Sequence, residues 1–450
     1  MSLFGALRAG VSGLFAESQS IAMVADNIAN LNTTGYKEAT PRFSTLVTAQ
    51  AGTNSFTPGG VKVNTLYNID QQGLLEASAT PTDLAISGNG FFVVSDNPTA
   101  GAGIVTYTRA GSFRADANGD LVNTAGLYLK GFPIVNGVVQ QTSVFNSLPT
   151  INIANLTSSP IASTTANLGA NLPSIAATGD NFNLSVQTLD KQGGQHTAVF
   201  TYTKTATNNQ WDVTATVTNA SFVDPDADNN GTVGDNALIA GTTSTRLGTI
   251  TFGADGTLAS VTASTAAGDI ATVNASNEFV FDIDYDSNLA TAAADDRVTL
   301  TVNKGTVGQA DGFTQFAGTF VPSFITQNGR QFGSATGINI ESDGKVSALF
   351  DNGETREVFQ IPLAVFPNPL ALTPLSGNTF ASTAAAGNAI PRGPNTGGAG
   401  EVSAGSLEAS TVDLANEFTK MIITQRAFSA NTRVITTSDE MLDELTRIIR

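Results

Sequence analysis

Both ends of the chain carry helical periodicity, and almost nothing between them does. In the first thirty residues, apolar side chains fall at Phe4, Leu7, Val11, Leu14, Ile21, Ala25 and Ile28, with Ser18 the one polar gap. In the last forty, Leu414, Phe418, Met421, Phe428, Ile435, Leu442 and Ile449 repeat the spacing, interrupted at Gln425, Thr432 and Asp439. Steps of three and four place such residues on one side of a helix. A sustained seven-residue repeat narrows that side to a seam, which suits a partner helix better than a broad core. Two seams at opposite ends of a 450-residue chain imply that the termini meet each other, or meet other copies, away from the middle.

A chain this long is expected to form two or more domains. Charged residues make up only 13%, about half the usual share. The net charge is −17, and it is unevenly placed: residues 148–327 hold 16 Asp and Glu against 5 Lys and Arg, a net of −11. Such acidity is a poor match for nucleic acid or an anionic membrane and suits a solvated outer surface. No stretch approaches the ~18 uninterrupted apolar residues of a membrane span. With no cysteine in the chain, disulfides, thiolate metal sites and cysteine nucleophiles are excluded. The N-terminus has one Arg (Arg8), no compact apolar core, and an amphipathic pattern running past residue 28. It therefore lacks a cleavable signal of the usual form.

Turn chemistry locates the β-rich part. Nine Asn-Gly or Asp-Gly pairs begin at Asn89, Asn118, Asn136, Asn230, Asp255, Asp311, Asn328, Asp343 and Asn352. These dipeptides are strong hairpin signals because both residues tolerate positive φ. Strand candidates sit between them: Phe91–Val94, Val105–Tyr107, Phe182–Val186, Ala198–Tyr202, Trp211–Val217, Phe279–Ile283 and Val298–Val302. Short strands with frequent turns point to sandwiches or barrels. The Ser/Thr/Ala-rich stretch 155–180 reads as a crossing into a second domain. Residues 31–71 and 384–409 read as extended connectors, the latter of low complexity. The last helix is expected to start near Ser410, with Asp413 completing a near-capping box, and to run ~60 Å to Ile449. Gly10 and Gly13 each cost the first helix roughly 1 kcal/mol against Ala, so alone it should be marginal.

The run Asp26-Asn27-Ile28-Ala29-Asn30-Leu31-Asn32-Thr33-Thr34-Gly35-Tyr36-Lys37 closes the first helix. Asn and Thr compete for helical hydrogen bonds, and Gly35 can take a left-handed conformation. The run is unusually elaborate for a helix stop. It resembles the N-terminal signature of the bacterial flagellar rod and hook family, from Phe4–Gly13 through Asn27, Asn30, Thr34, Gly35, Tyr36 and Lys37. Gly405–Leu414, Met421-Ile422, Gln425-Arg426-Ala427-Phe428, Asn431–Thr437 and Asp439–Leu442 resemble the other end of that family. Asn89–Phe92, Tyr107–Gly111 and Leu127–Pro133 resemble its first β-domain. The resemblance covers residues 1–147 and 328–450 and leaves 148–327 unmatched. Within the family, a long acidic middle and the ending from Arg433 to Leu442 favour hook over the shorter distal-rod proteins.

The resemblance implies a multidomain, mainly-β fold with coiled-coil-type α-helices at the N- and C-termini. Residues 1–30 and 410–450 would line an inner tube, with the two connectors around them. Residues 72–147 and 328–383 would form a discontinuous β-domain, and 148–327 an inserted acidic outer β-domain. It implies a homopolymer, the flexible universal joint that carries torque from rod to filament. Implied partners are the distal rod protein, the hook cap protein and the hook–filament junction protein. Export would be through the flagellar type III apparatus, without a cleavable signal peptide and without membrane insertion. The alternatives are a distal-rod protein with an insertion, and a secreted β-adhesin or enzyme with helical ends.

Asp226, Asp228 and Asn230, with Gly231 and Val233, fit the first eight positions of a calcium loop. Position twelve is Ala237, where a bidentate carboxylate belongs. An exposed acidic turn and a calcium site helped by Asp224 or Asp235 both remain open. His196 is the only histidine and sits beside a Gly-rich hairpin loop, a weak basis for a triad. Asp282, Asp284 and Asp286 alternate along a strand and read as a solvated face. No catalytic constellation is expected.

Overall fold

The computed structural model describes residues 3–46, 59–154, 156–218, 220–223, 244–264, 271–285 and 297–448. The acidic loop of Asp224, Asp226, Asp228, Asn230 and Asp235 lies outside the described residues, as do Asp286 and Ile449. Among the described residues, two α-helices, α1 (Leu3–Ala29) and α2 (Leu414–Ile448), flank strands, turns and two single-turn 3-10 helices. The chain divides into two units. Met1–Leu156, Ala335–Leu349 and Thr355–Arg450 form the first, and Thr157–Ser334 with Phe350–Glu354 the second.

The first unit is organised around the strand Phe91–Ser95, buried throughout. Phe92 and Val94 join one apolar cluster with Leu84, Phe113, Leu129 and Val346. Phe91 and Val93 join another with Tyr107, Phe132, Phe366 and Phe380. Successive strand side chains point to opposite faces, so an unbroken Phe-Phe-Val-Val run is what a strand covered on both sides requires. Its antiparallel partners are Val105–Thr108, Tyr128–Leu129 and the distant Leu363–Val365.

The described residues of 31–71, and 384–409, are more ordered than their composition implies. Ala39–Thr45 pairs antiparallel with Val61–Tyr67, and Ser12 Oγ on α1 accepts the Val61 N–H at 3.1 Å. Ile390–Arg392, Glu401–Ala404 and Ser406–Glu408 pair with Leu363–Val365, Leu84–Ser87 and Leu75–Ala77. The strands of 384–409 are held by backbone bonds to strands elsewhere in the chain, and those of 31–71 by each other and by α1.

Helix α2 starts at Leu414 rather than near Ser410. Asp413 is the N-cap, its Oδ1 accepting the Asn416 N–H at 3.0 Å. Ser410 instead accepts the Val412 N–H locally, at 3.3 Å. Thr411 is held extended: its N–H donates to Tyr36 O at 3.2 Å, and its Oγ1 accepts the Glu38 N–H at 2.9 Å. Among the turn dipeptides, Asn136-Gly137 places both residues at positive φ, 53° and 76°. At Asn118-Gly119, Asp255-Gly256, Asp343-Gly344 and Asn352-Gly353 only the glycine does.

In the second unit two sheets close on one core. An antiparallel meander runs Asn181–Leu189, Gln195–Lys204, Gln210–Val217, Ser244–Phe252, Leu258–Ala263. The other sheet is ordered Ser221–Val223, Phe279–Asp284, Arg297–Asn303, Thr165–Asn171, Val321–Gln327, with its third and fourth strands parallel. Phe200, Tyr202 and Trp211 from the first meet Phe222, Phe279 and Leu300 from the second. Asp282 and Asp284 do not form a solvated face: the first is half-buried, the second only 7% exposed. Their strand has neighbours on both sides, and Asp284 lies opposite Arg297 in register.

His196 Nε2 lies 3.0 Å from Asp190 Oδ2, and its ring is 4.4 Å from that of Tyr285. Asp190 Oδ1 also accepts the N–H groups of Gln192 and Gly194, at 2.8 and 2.7 Å. Burial works against the Asp190 charge, but His196 and the two amides win and hold its carboxyl below the usual range. A carboxyl lowered by folding contributes stability above its unfolded value, near ~4, that is lost as pH falls through the folded value. The melting temperature of the second unit should therefore drop more steeply between about pH 5 and about pH 3 in the native chain than in Asp190→Asn. Parallel acid limbs in the two melting series would contradict this.

Candidate assembly site where the chain ends meet

Helices α1 and α2 pack antiparallel: Asn27 lies against Glu417, and Gly10 against Val434 and Ile435. The stripe that α1 buries is Gly10, Gly13, Ala16, Ser20, Val24 and Asn27. On α2 it is Glu417, Thr424 and Ser438, with Asn431 half-buried. In both helices this stripe sits one residue before the apolar seam, a rotation of about 100°. Small residues decide the choice, because they let two backbones approach. A Cβ on Gly10 would stand 3.3 Å from Ile435 Cγ1, and one on Gly13 2.8 Å from Asn431 Nδ2. The glycines that weaken the isolated helix thus make the contact possible.

The seam is left at the side of the pair. Leu7, Val11, Leu14, Ile21, Ile28, Met421, Ile435 and Leu442 are half-buried, while Phe4, Leu414, Phe418 and Phe428 are exposed. Phe15 and Ile423, 71% and 62% exposed, widen the apolar surface. Gln425 and Arg426 are exposed on α2.

The signature after α1 is a hydrogen-bonded clamp. The Asn27 amide pairs with the backbone of Ala39 like a strand neighbour: Nδ2 donates to Ala39 O at 2.8 Å, and Oδ1 accepts the Ala39 N–H at 2.9 Å. Nδ2 also donates to Glu417 Oε2 at 3.0 Å. The Tyr36 hydroxyl donates to Asn27 Oδ1 and Asp26 Oδ2, both at 3.2 Å. Asn30 accepts the Thr33 hydroxyl at 3.1 Å, and Asn378 Nδ2 donates to Thr34 O at 2.7 Å. Gly35 has φ 67°, and a Cβ there would lie 2.8 Å from backbone atoms of Arg109 and Ala110, so the position requires glycine.

Lys37 leads to residues that the sequence reading did not assign. Its Nζ reaches Glu408 Oε1 at 2.5 Å and donates to the Gln71 carbonyl. Arg109 Nη1 lies 3.3 Å from Glu408 Oε2, and its Nη2 donates to Gly88 O at 2.8 Å. Glu408 is fully buried and also accepts the Gly73 N–H at 2.8 Å. Burial pulls Lys37 below its usual pKa, opposed by the Glu408 carboxylate. A second pairing joins the chain ends: Lys420 binds Glu38, and Glu417 Oε1 at 2.6 Å. Burial disfavours the Lys420 charge, but the two carboxylates outweigh it and raise its pKa. The only sequence signal for these partners was that Arg109 and Glu408 stand inside family-like segments.

Family models match along the chain. The Flagella basal body rod protein model covers residues 7–37, and the Flagellar hook protein FlgE/F/G D1 domain 85–171. The Flagellar basal body protein FlaE D2 domain covers 155–330, and the Flagellar basal body rod FlgEFG protein C-terminal model 403–448. The Flagellar hook protein FlgE of Rhizobium meliloti (strain 1021) is 35% identical over 453 residues, spanning 100% of both chains. That of Brucella suis biovar 1 (strain 1330) is 34% identical over 455 residues, again 100% of both. That of Escherichia coli (strain K12) is 30% identical, covering 97% of this chain and 98% of the relative. The chain belongs to the flagellar hook protein family. It is a structural subunit and not an enzyme, and neither the rod nor the adhesin alternative is favoured. The middle that the sequence resemblance left unmatched is covered by the D2 model.

The buried Lys37–Glu408–Arg109 group ties the loop after α1 to the stretch before α2 within the first unit. Removing the charge of Glu408 leaves two buried cations without a counter-ion. Glu408→Gln should cost on the order of 3–5 kcal/mol in denaturant unfolding of the first unit. Lys37→Met, Glu408→Met and Arg109→Met combined should recover most of that loss, because no buried charge is then left over. A loss below about 1 kcal/mol for Glu408→Gln would show that the group does not hold the ends.

Proposed function

We propose that the subunits of this hook polymerise through the helix seams, with each α1–α2 pair acting as one preformed wall element. The observation that carries this is the division of faces. The small-residue stripe is consumed inside one chain, and the apolar seam beside it is left half-covered. Contiguous apolar surface of this kind marks an interaction site. In a family that assembles into a hook, the partner of that seam is the seam of another copy.

The mechanical reading follows from the same division. The β-units are rigid, each with its own core, and bending must come from sliding between copies rather than from deformation inside them. The sparse charge of the chain keeps sliding contacts free of fixed ion pairs. We further propose export in unfolded form through the flagellar type III apparatus, with the distal rod protein, the hook cap protein and the hook–filament junction protein as neighbours. Family membership supports these.

Phe418→Asp combined with Phe428→Asp changes two exposed seam positions. Surface substitutions of this kind shift stability by about 0.5 kcal/mol or less. The variant monomer should therefore keep its helical circular dichroism and its melting temperature, while cells making only this variant should produce no hooks. Hooks of normal number and length in electron micrographs would contradict the seam assignment.

A further inference from the structure

The chain contains six Asn-Gly dipeptides, at Asn89, Asn118, Asn136, Asn230, Asn328 and Asn352. This dipeptide carries chemistry of its own. The glycine nitrogen can attack the asparagine side-chain carbon, and a residue without a Cβ does not hinder the approach. In a folded chain the reaction waits on the hydrogen bonds that hold the two groups elsewhere. Asn230 lies outside the described residues; the other five can be compared.

Four of them are held. Asn352 Nδ2 donates to Gln331 O at 2.8 Å, and its Oδ1 accepts the Glu354 N–H at 2.9 Å. The Gly353 N–H donates to Phe350 O at 3.1 Å. Asn328 Nδ2 donates to Thr164 Oγ1 at 2.7 Å, and its Oδ1 accepts the N–H groups of Thr164 and Thr165, both at 2.9 Å. The Gly329 N–H donates to Gln327 Oε1. The Gly119 N–H donates to Asp116 O at 3.0 Å, and that glycine is buried against Ala154. Gly90 is buried against Leu363.

The pair at Asn136 has none of these restraints. Asn136 and Gly137 are both exposed, and a Cβ on Gly137 would meet nothing within 4 Å. Among the described residues, neither the Asn136 side chain nor the Gly137 N–H has a hydrogen-bond partner. The two form a turn between Ile134-Val135 and Val138-Val139. The second of these strands is two residues long and ends its sheet, so opening the turn disturbs little else.

We propose that Asn136 is a site of spontaneous modification, where the side-chain amide is converted to a carboxylate with water as the only co-reactant. The Gly137 nitrogen gives up its proton and bonds to Asn136 Cγ. The Cγ–Nδ2 bond breaks and ammonia leaves, closing a five-membered succinimide. Water then opens the ring. Attack at Cγ yields aspartate, and attack at the main-chain carbonyl yields isoaspartate, whose backbone runs through the former side chain. One water is consumed and one ammonia released, and nothing is oxidised or reduced. Either product places a negative charge between Val135 and Val138, 52% and 61% exposed. It falls in a stretch, residues 131–179, that holds no Asp, Glu, Lys or Arg. Isoaspartate also lengthens the turn by one backbone atom.

The purified full-length chain would be kept at mildly alkaline pH, folded in buffer or unfolded in guanidinium, then digested with trypsin for mass spectrometry. In the folded chain the Asn136 peptide should exchange an amino group for a hydroxyl at least about tenfold faster than the peptides of Asn89, Asn118, Asn328 and Asn352, the factor that first breaking one or two hydrogen bonds imposes. Two products of equal mass should form, of which protein isoaspartyl methyltransferase methylates only the isoaspartate. In guanidinium the five sites should react at similar rates, because the dipeptide is the same and the fold no longer separates them. An Asn136 rate in the folded chain no greater than that of Asn328 or Asn352 would overturn the proposal, as would the same ranking in the unfolded chain.

Discussion

Glu408 has no access to water, and its carboxylate is balanced by Lys37 and Arg109. These three residues come from the loop after α1, the β-region and the stretch before α2. A buried ion group of this kind adds little net stability against an apolar replacement, but breaking it is expensive. Its consequence is register. The Lys37 side chain can reach its partner only when the Asn27–Tyr36 clamp has closed and Ser406–Glu408 has paired with Leu75–Ala77. The same closure sets Glu417 against Asn27, and so aligns α2 along α1.

Once aligned, each helix uses two faces for two purposes. Gly10 meets Val434 and Ile435, Gly13 meets Asn431, and Asn27 meets Glu417, in a close contact set by small residues and polar pairs. Such a contact is specific without being strongly hydrophobic, which suits a subunit that must also exist before assembly. The apolar seam, about 100° away, is kept for other copies.

The helices, the main strands and the family were legible in the sequence because each rests on local periodicity or on contiguous motifs. Phe91–Ser95 reads as a two-faced strand from its composition alone. What stayed hidden was set by partners distant in the chain. The periodicity locates the seams of α1 and α2 but not the face they turn to each other, because apolar spacing marks the seam while small residues govern the approach. Glu408 gave no sign of burial, since its cations lie 371 and 299 residues away in sequence. Residues 384–409 read as a connector because their strands take register from strands elsewhere in the chain, and 31–71 because its hairpin carries little apolar alternation. Asp284 reads as a surface carboxylate because strand alternation tells which residues share a face, not whether that face is covered.

The two-face account of the helices is tested most directly by an electron-microscopy map of the native polymer at side-chain resolution. It should show Gly13 still against Asn431 of the same chain, with Leu14, Ile21, Phe418 and Phe428 buried against neighbouring copies. A map in which α1 leaves its own α2, or in which those seam residues face water, would contradict it.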